Sequence, residues 1–237
     1  IIVIKQQRIM EWNRKYNYPK SIRALVNGKR LYDIGAQKLP SVTTILNATQ
    51  DQAKKEGLKR WRAKVGVKEA ERITTEAANR GSSMHQYLED FLHSKLNLDL
   101  LGHNSRERMM AEEVIENGLR NQLTEIWGVE ACLHFPNKYA GATDLVGIYN
   151  GKPTILDFKS STNLKKEEWI SDYYIQGAAY CLAHDEVYGT NISQVAILIC
   201  TKDNLFQKFV VDGERLADYK KMFLDKVQQY YDIQNQN

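Results

Sequence analysis

Asp157 and Lys159 stand two residues apart in Leu156-Asp157-Phe158-Lys159-Ser160-Ser161, at the end of the largely apolar stretch Thr154-Ile155-Leu156. On a strand, both charges leave one face of the sheet and Phe158 leaves the other. Twelve residues separate Asp157 from Asp144, and Asn150-Gly151, a strong hairpin signal, lies between them. A two-residue turn there sets Tyr149 opposite Lys152 and Asp144 opposite Asp157, with facing Cβ atoms about 5 Å apart. A longer loop imposed by Pro153 would shift the pairing but preserve its parity, so Asp144, Asp157 and Lys159 share a face either way. Two facing carboxylates destabilise a hairpin unless positive charge lies between them. Lys159 alone makes this a structural ion cluster. A hard cation, Mg²⁺ or Mn²⁺, makes it a hydrolytic site in which the lysine orients or deprotonates water and offsets charge developing on phosphorus.

The elements that must position these residues are legible in outline. Ala24 to Ile34, with Asn27-Gly28 inside it, suggests a small hairpin, and Ser41 after Pro40 suggests a helix N-cap. Ala53 to about Lys95 has helical texture with a break or bend expected near Gly81, where Ser82 or Ser83 would cap the second piece. A further helix is expected from Ser105 to about Ile126. Three strands follow, at 127–135, 141–149 and 152–159, then a helix over 167–184, strands in QVAILICT and NLFQKFVV, and a terminal helix from Gly213. This order predicts a mixed sheet with helices on both faces.

The chain has 237 residues, 43% hydrophobic and 26% charged, which suits a soluble globular protein and excludes disordered and collagen-like classes. One elaborated α/β domain over 1–237 is expected, about 1–125 forming an N-terminal hairpin and helical part and about 126–237 the sheet that carries Asp144, Asp157 and Lys159 with its flanking helices. No apolar run approaches the roughly 18 residues a bilayer span needs. Ile1-Ile2-Val3-Ile4 is too short for a signal-peptide core, so the expectation is an intracellular protein of a bacterium or phage-infected host; a mitochondrial matrix location would need a targeting segment. Cys132, Cys181 and Cys200 are odd in number and widely spaced, which argues against disulfides and zinc. Net charge is +4 with pI near 8.8. Lys54, Lys55, Lys59, Arg60 and Arg62 crowd around Trp61, either as a solvated helix face or as phosphate contacts with a stacking surface for single-stranded DNA.

Asp144 followed by Asp157-Phe158-Lys159 resembles the core of the PD-(D/E)xK nuclease superfamily, and GATDLVG with ILDFKSS resembles its RecB-like branch. Thr143 stands where the motif has Pro. Gln176-Gly177-Ala178-Ala179-Tyr180 matches the QxxxY pair of that branch, and Arg80-Gly81-Ser82 with His85 matches its RGSxxH element. With LPSVTTIL, these segments most resemble mitochondrial genome maintenance exonucleases and related phage exonucleases. The resemblance implies a restriction-endonuclease-like α/β core and one or two Mg²⁺ or Mn²⁺ ions held by His85, Asp144, Asp157 and the Phe158 carbonyl. Glu130 is a further candidate ligand and Glu89 a weaker one. It also implies that Lys159 assists the nucleophile, that Gln176 and Tyr180 orient Lys159 or the strand, and that Ser160 and Ser161 meet a phosphate. The implied activity is a monomeric DNA exonuclease that prefers single-stranded ends and serves replication, repair or recombination. Its rivals are a restriction-type endonuclease on the same core and a catalytically silent nucleic-acid-binding module.

Overall fold

The computed structural model describes residues 10–20, 22–26, 29–93 and 105–236. Six strands form the central sheet in the order β1-β5-β6-β7-β8-β9: Glu11–Trp12, Leu123–Phe135, Tyr139–Tyr149, Lys152–Ser161, Gln194–Thr201 and Phe206–Asp212. β7 and β8 run parallel, as do β1 and β5, and the other neighbours are antiparallel, so the sheet is mixed. A second sheet contains β2 (Ile22–Val26), β3 (Lys29–Ile34) and β4 (Gln37–Pro40). The strands flanking the expected first hairpin do pair, while its Asn27-Gly28 turn lies outside the described residues.

Asn150 and Gly151 both have positive φ, 48° and 79°, as a tight two-residue hairpin turn demands. Tyr149 pairs with Lys152 and Ile148 with Pro153, so Pro153 keeps its place in the register and no longer loop is needed.

The sheet divides two cores. Ile155 and Val146 join α5 (Ser171–Tyr188), α6 (Gly213–Asn235) and α1 (Val42–Ala48) on one face, while Leu156, Phe158 and Leu145 join α3 (Val67–Leu92) and α4 (Arg106–Glu113) on the other. β8 is buried along its whole length, as a strand covered on both faces should be. Ser41 caps α1, its hydroxyl accepting from the Thr44 N–H at 2.9 Å.

Three expected boundaries differ, the simplest being the helix expected over 167–184, which is a 3₁₀ turn at Glu167–Trp169 followed by α5 over Ser171–Tyr188. The helical break falls at Gly66, whose φ of 85° suits a residue without Cβ, between α2 (Gln52–Val65) and α3. α3 then continues through Gly81, Ser82 and Ser83, because Met84, Leu88 and Leu92 are buried and hold that segment against the sheet. The helix expected to reach Ile126 instead ends in a π-helical turn, Val114–Leu119, and β5 begins at Leu123. Pairing with β6 imposes strand structure on Leu123 to Ile126.

Candidate active site

The β6–β7 ladder ends at Leu145 paired with Leu156. Beyond it β7 follows β8 as far as Ser161, while β6 follows β5, so the two strands part. Asp144 and Asp157 therefore are not a laddered pair as the hairpin alone suggests; they flank a fork. The fork exposes the Phe158 peptide, whose N–H donates to Asp144 Oδ2 at 2.6 Å and whose carbonyl accepts from His85 Nε2 at 2.7 Å. His85 Nδ1 lies 3.4 Å from Asp144 Oδ1. A helix on one side of the sheet thus supplies a ring that reaches the carboxylate through the gap between strands.

On the α5 side, Lys159 Nζ lies 2.6 Å from Asp157 Oδ2 and donates to Gln176 Oε1 at 3.4 Å. Gln176 Nε2 donates to the Tyr180 hydroxyl at 3.3 Å. Two glycines in the recognised segments allow this approach. A Cβ on Gly141 would lie 2.8 Å from the Tyr180 ring, and one on Gly177 would lie 2.4 Å from Val195. The first leaves room for Tyr180 beside β6, and the second brings α5 down onto β8. The Tyr173 ring, 5.2 Å from Lys159 Nζ, completes the wall. The sequence reading passed over Tyr173, although it precedes Gln176 and Tyr180 by one and two helical turns and so shares their face.

Burial acts on every charge here. It pushes Asp157 up to about 6, with Lys159 opposing and the Asp144 charge adding to the rise. Burial would raise Asp144 too, but His85, Lys159 and the Phe158 N–H together hold it below the usual carboxylate range. Burial would lower His85 and Lys159, yet the facing carboxylates raise both, His85 to about 9. Acid and base are thus mutually charged, and the imidazolium stands where positive charge is needed between the Phe158 carbonyl and Asp144.

One ligand atom each from His85, Glu130 and Asp144 lie within 4.8 Å of one another. Ligands about 2.1 Å from a common ion lie at most about 4.2 Å apart, so a small contraction closes this set. Glu130 sits on β5 between Val129, paired with Leu145, and Ala131, paired with Thr143, which places it beside Asp144. Its φ of 48° is left-handed, a conformation costing roughly 1–3 kcal/mol at a non-glycine residue and concentrated at functional sites. Asp157 Oδ2 is buried and, despite the nearby ammonium, makes no well-directed hydrogen bond. Carboxylates, a peptide carbonyl and one imidazole, without thiolate, suit Mg²⁺ or Mn²⁺. The donor set therefore fits such an ion once His85 gives up its Nδ1 proton, as ligation requires, with Asp157 turned toward Lys159 rather than toward the other three.

The remaining candidates are placed unevenly. A cleft lined by Thr43, Lys54, Asp172, Tyr173, Gln176 and Lys226 adjoins a second lined by Arg30, Thr43, Glu130, Asp144, Gln176 and Tyr180. Lys54 thereby joins the site, held 2.7 Å from Asp172. Lys55, Lys59, Arg60 and Arg62 lie exposed on α2, which buries no residue, and Trp61 is half-buried. Ser160 points to the α3 side; the Ser161 hydroxyl donates to the Asn163 carbonyl at 2.6 Å. Glu89 is half-buried one turn beyond His85 and outside the converging set. His93 stacks on Trp12, and His184 lies in an aromatic cluster. Cys132, Cys181 and Cys200 are buried and form no disulfide.

Fold and site together define a mixed α/β protein with carboxylates, a lysine and a histidine gathered at a strand fork. The chain is similar to the mitochondrial genome maintenance exonuclease 1 of Xenopus tropicalis, at 29% identity over 70% of this chain and 49% of the relative. It is similar to the mouse protein of that name, at 29% identity over 83% of this chain and 60% of the relative, and to the human one at 26% over 84% and 60%. The chain thus spans about half to three fifths of the length of these curated relatives. No protein-family model matches. A crystal structure of a Eubacterium rectale protein provisionally named an exonuclease aligns with 63% of this chain and 64% of its own at a TM-score of 0.40 and 14% identity, too slight a likeness to carry a conclusion.

Proposed function

We propose that the protein is a metal-dependent exonuclease of the RecB-like PD-(D/E)xK type that hydrolyses DNA from single-stranded ends. The observation that carries this reading is the fork. It brings His85, Glu130 and Asp144 within reach of one ion and sets a charged, half-buried lysine beside Asp157 on the adjoining face. The exonuclease names of the relatives supply the reaction class.

A Mg²⁺ or Mn²⁺ ion held by His85, Glu130, Asp144 and the Phe158 carbonyl would supply Lewis acidity toward a phosphate oxygen and a water. Asp157 fixes Lys159 and shares its proton inventory. Lys159 steers the attacking water and offsets negative charge growing on phosphorus. Gln176 holds Lys159 in place through its amide oxygen and is itself held by Tyr180. Lys54, with the rest of the α2 basic residues, Trp61, Ser160 and Ser161, contacts the strand.

The test is incubation with end-labelled linear single strands, duplex and closed circular DNA, with Mg²⁺, Mn²⁺ or EDTA. Linear single strands are expected to shorten with a metal, and EDTA or Lys159→Ala to stop it while DNA binding persists. Survival of linear single strands with both metals overturns the reading; cutting of the closed circle replaces it with an endonuclease.

A further inference from the structure

Arg80 is a half-buried cation to which nothing above gives a role. Among the described residues its Nε is buried without a hydrogen-bond partner, and its Nη2 donates to the Thr162 hydroxyl at 3.3 Å. Arg72, Arg108, Arg120 and Arg215 each hold a glutamate, whereas no carboxylate among the described residues pairs with Arg80. A guanidinium presents five donors in a planar fork, and leaving one buried and unmet is costly unless an acceptor arrives.

Its place in the fold indicates which acceptor. α3 runs beside the end of β7 so that His85 meets Phe158, Gly81 meets Ser160 and Arg80 meets Thr162. At Gly81 a Cβ would lie 3.3 Å from Ser160 Oγ, so the missing side chain lets the helix close on the strand there. Five residues of helix rise about 7.5 Å. Arg80 therefore stands beside Thr162, four residues beyond the Phe158 that His85 meets, on the side of β7 opposite Gln176 and Lys54.

We infer that Arg80, with the hydroxyls of Ser160 and Thr162, binds the phosphate of a nucleotide neighbouring the scissile one. A phosphate matches a guanidinium fork bidentately and accepts from hydroxyls, whereas a nucleobase edge would leave part of the fork unmet. A strand crossing the fork would then be held on both sides of the reacting phosphate, by Arg80 on one and by Lys54 on the other. The inference rests on the nuclease reading.

The experiment uses single-stranded oligonucleotides that each carry one neutral methylphosphonate at a successive position, cleaved by the wild-type protein, Arg80→Ala and Arg80→Lys. Wild type is expected to lose roughly tenfold in kcat/KM, mainly through KM, when the neutral link falls at one position beside the scissile bond. Arg80→Ala should show that loss on the unmodified strand and no further loss at that position. Its salt dependence of binding should be shallower by about one counterion. Arg80→Lys, which retains the charge without the fork, should fall between, and it answers the question if the alanine variant fails to fold. Equal sensitivity of variant and wild type at every position overturns the inference alone. If wild type cleaves no oligonucleotide with either metal, the nuclease reading falls and this inference falls with it.

Discussion

His85 and His184 are both packed into the protein, yet their surroundings do opposite things to them. His184 sits among Tyr16, Tyr18, Trp127 and Tyr188, bonded to the Tyr18 hydroxyl at 3.0 Å and the Thr190 hydroxyl at 2.7 Å. Burial lowers it to about 4; Asp185 only partly counters this, and Lys15 adds to it. His85 is half-buried, which by itself would lower it, but Asp144 and Asp157 carry it up to about 9. One region removes charge and fills space; the other gathers charge and leaves it only partly satisfied. The first arrangement stabilises the fold, and the second stores the imbalance that a cation and a phosphate would relieve.

The largest effect that distinguishes the regions is on activity. Asp144→Asn should reduce metal-dependent cleavage by at least roughly a hundredfold, since even outer-shell partners of metal ligands cost about that much. Its thermal midpoint should fall, because the His85 ring and the Phe158 N–H lose the carboxylate charge that they face. His184→Gln should leave the cleavage rate within about twofold, as neutral hydrogen bonding is kept at a residue remote from the cluster. A large loss of cleavage in His184→Gln, or intact cleavage in Asp144→Asn, would erase the distinction.

The next effect is on stability against pH. Unfolded, His184 takes up a proton near its ordinary pKa of about 6.5; folded, it does so only near 4. The unfolded state therefore binds more protons in between, and stability present above about pH 6.5 is lost as pH falls toward 4. The contribution is about 3 kcal/mol at full extent, from the size of that shift. Denaturant unfolding at pH 7, 5.5 and 4.5 should show His184→Gln losing less than wild type across this range. Parallel curves would show that other groups carry the acid sensitivity.

The sequence made the charged region far more legible than the neutral one. Turn chemistry and strand parity sufficed to group Asp144, Asp157 and Lys159, whereas Gln176 and Tyr180, one helical turn apart, joined them only through the family resemblance. The fork is different: whether β6 and β7 stay laddered past Leu145 depends on how β5 and β8 draw each strand away, and hairpin parity alone cannot show that. Glu130 owes its direction to a left-handed backbone position inside a strand, which no residue preference announces. The helical break was misplaced for a similar reason, since Gly81 reads as a breaker until the burial of Met84 and Leu88 and the nearness of Ser160 are known. The aromatic nest around His184 joins Tyr16 and Tyr18 to α5 across more than 160 positions, and no local pattern connects them.

The smallest effect tests where the charged region ends. Lys54 and Asp172 lie 2.7 Å apart with side chains 44% and 48% exposed, so solvent screens the pair and its removal should cost under about 1 kcal/mol. If Lys54 belongs to the functional region through its place in the cleft with Gln176, Lys54→Ala should nevertheless weaken single-stranded DNA binding and reduce its salt slope by about one counterion. Lys59→Ala serves as the comparison, since Lys59 is exposed on the same helix and is not among the residues lining that cleft. Equal slopes for the two variants would make the basic helix a diffuse electrostatic surface. A larger change at Lys54 would extend the site from the fork onto α2.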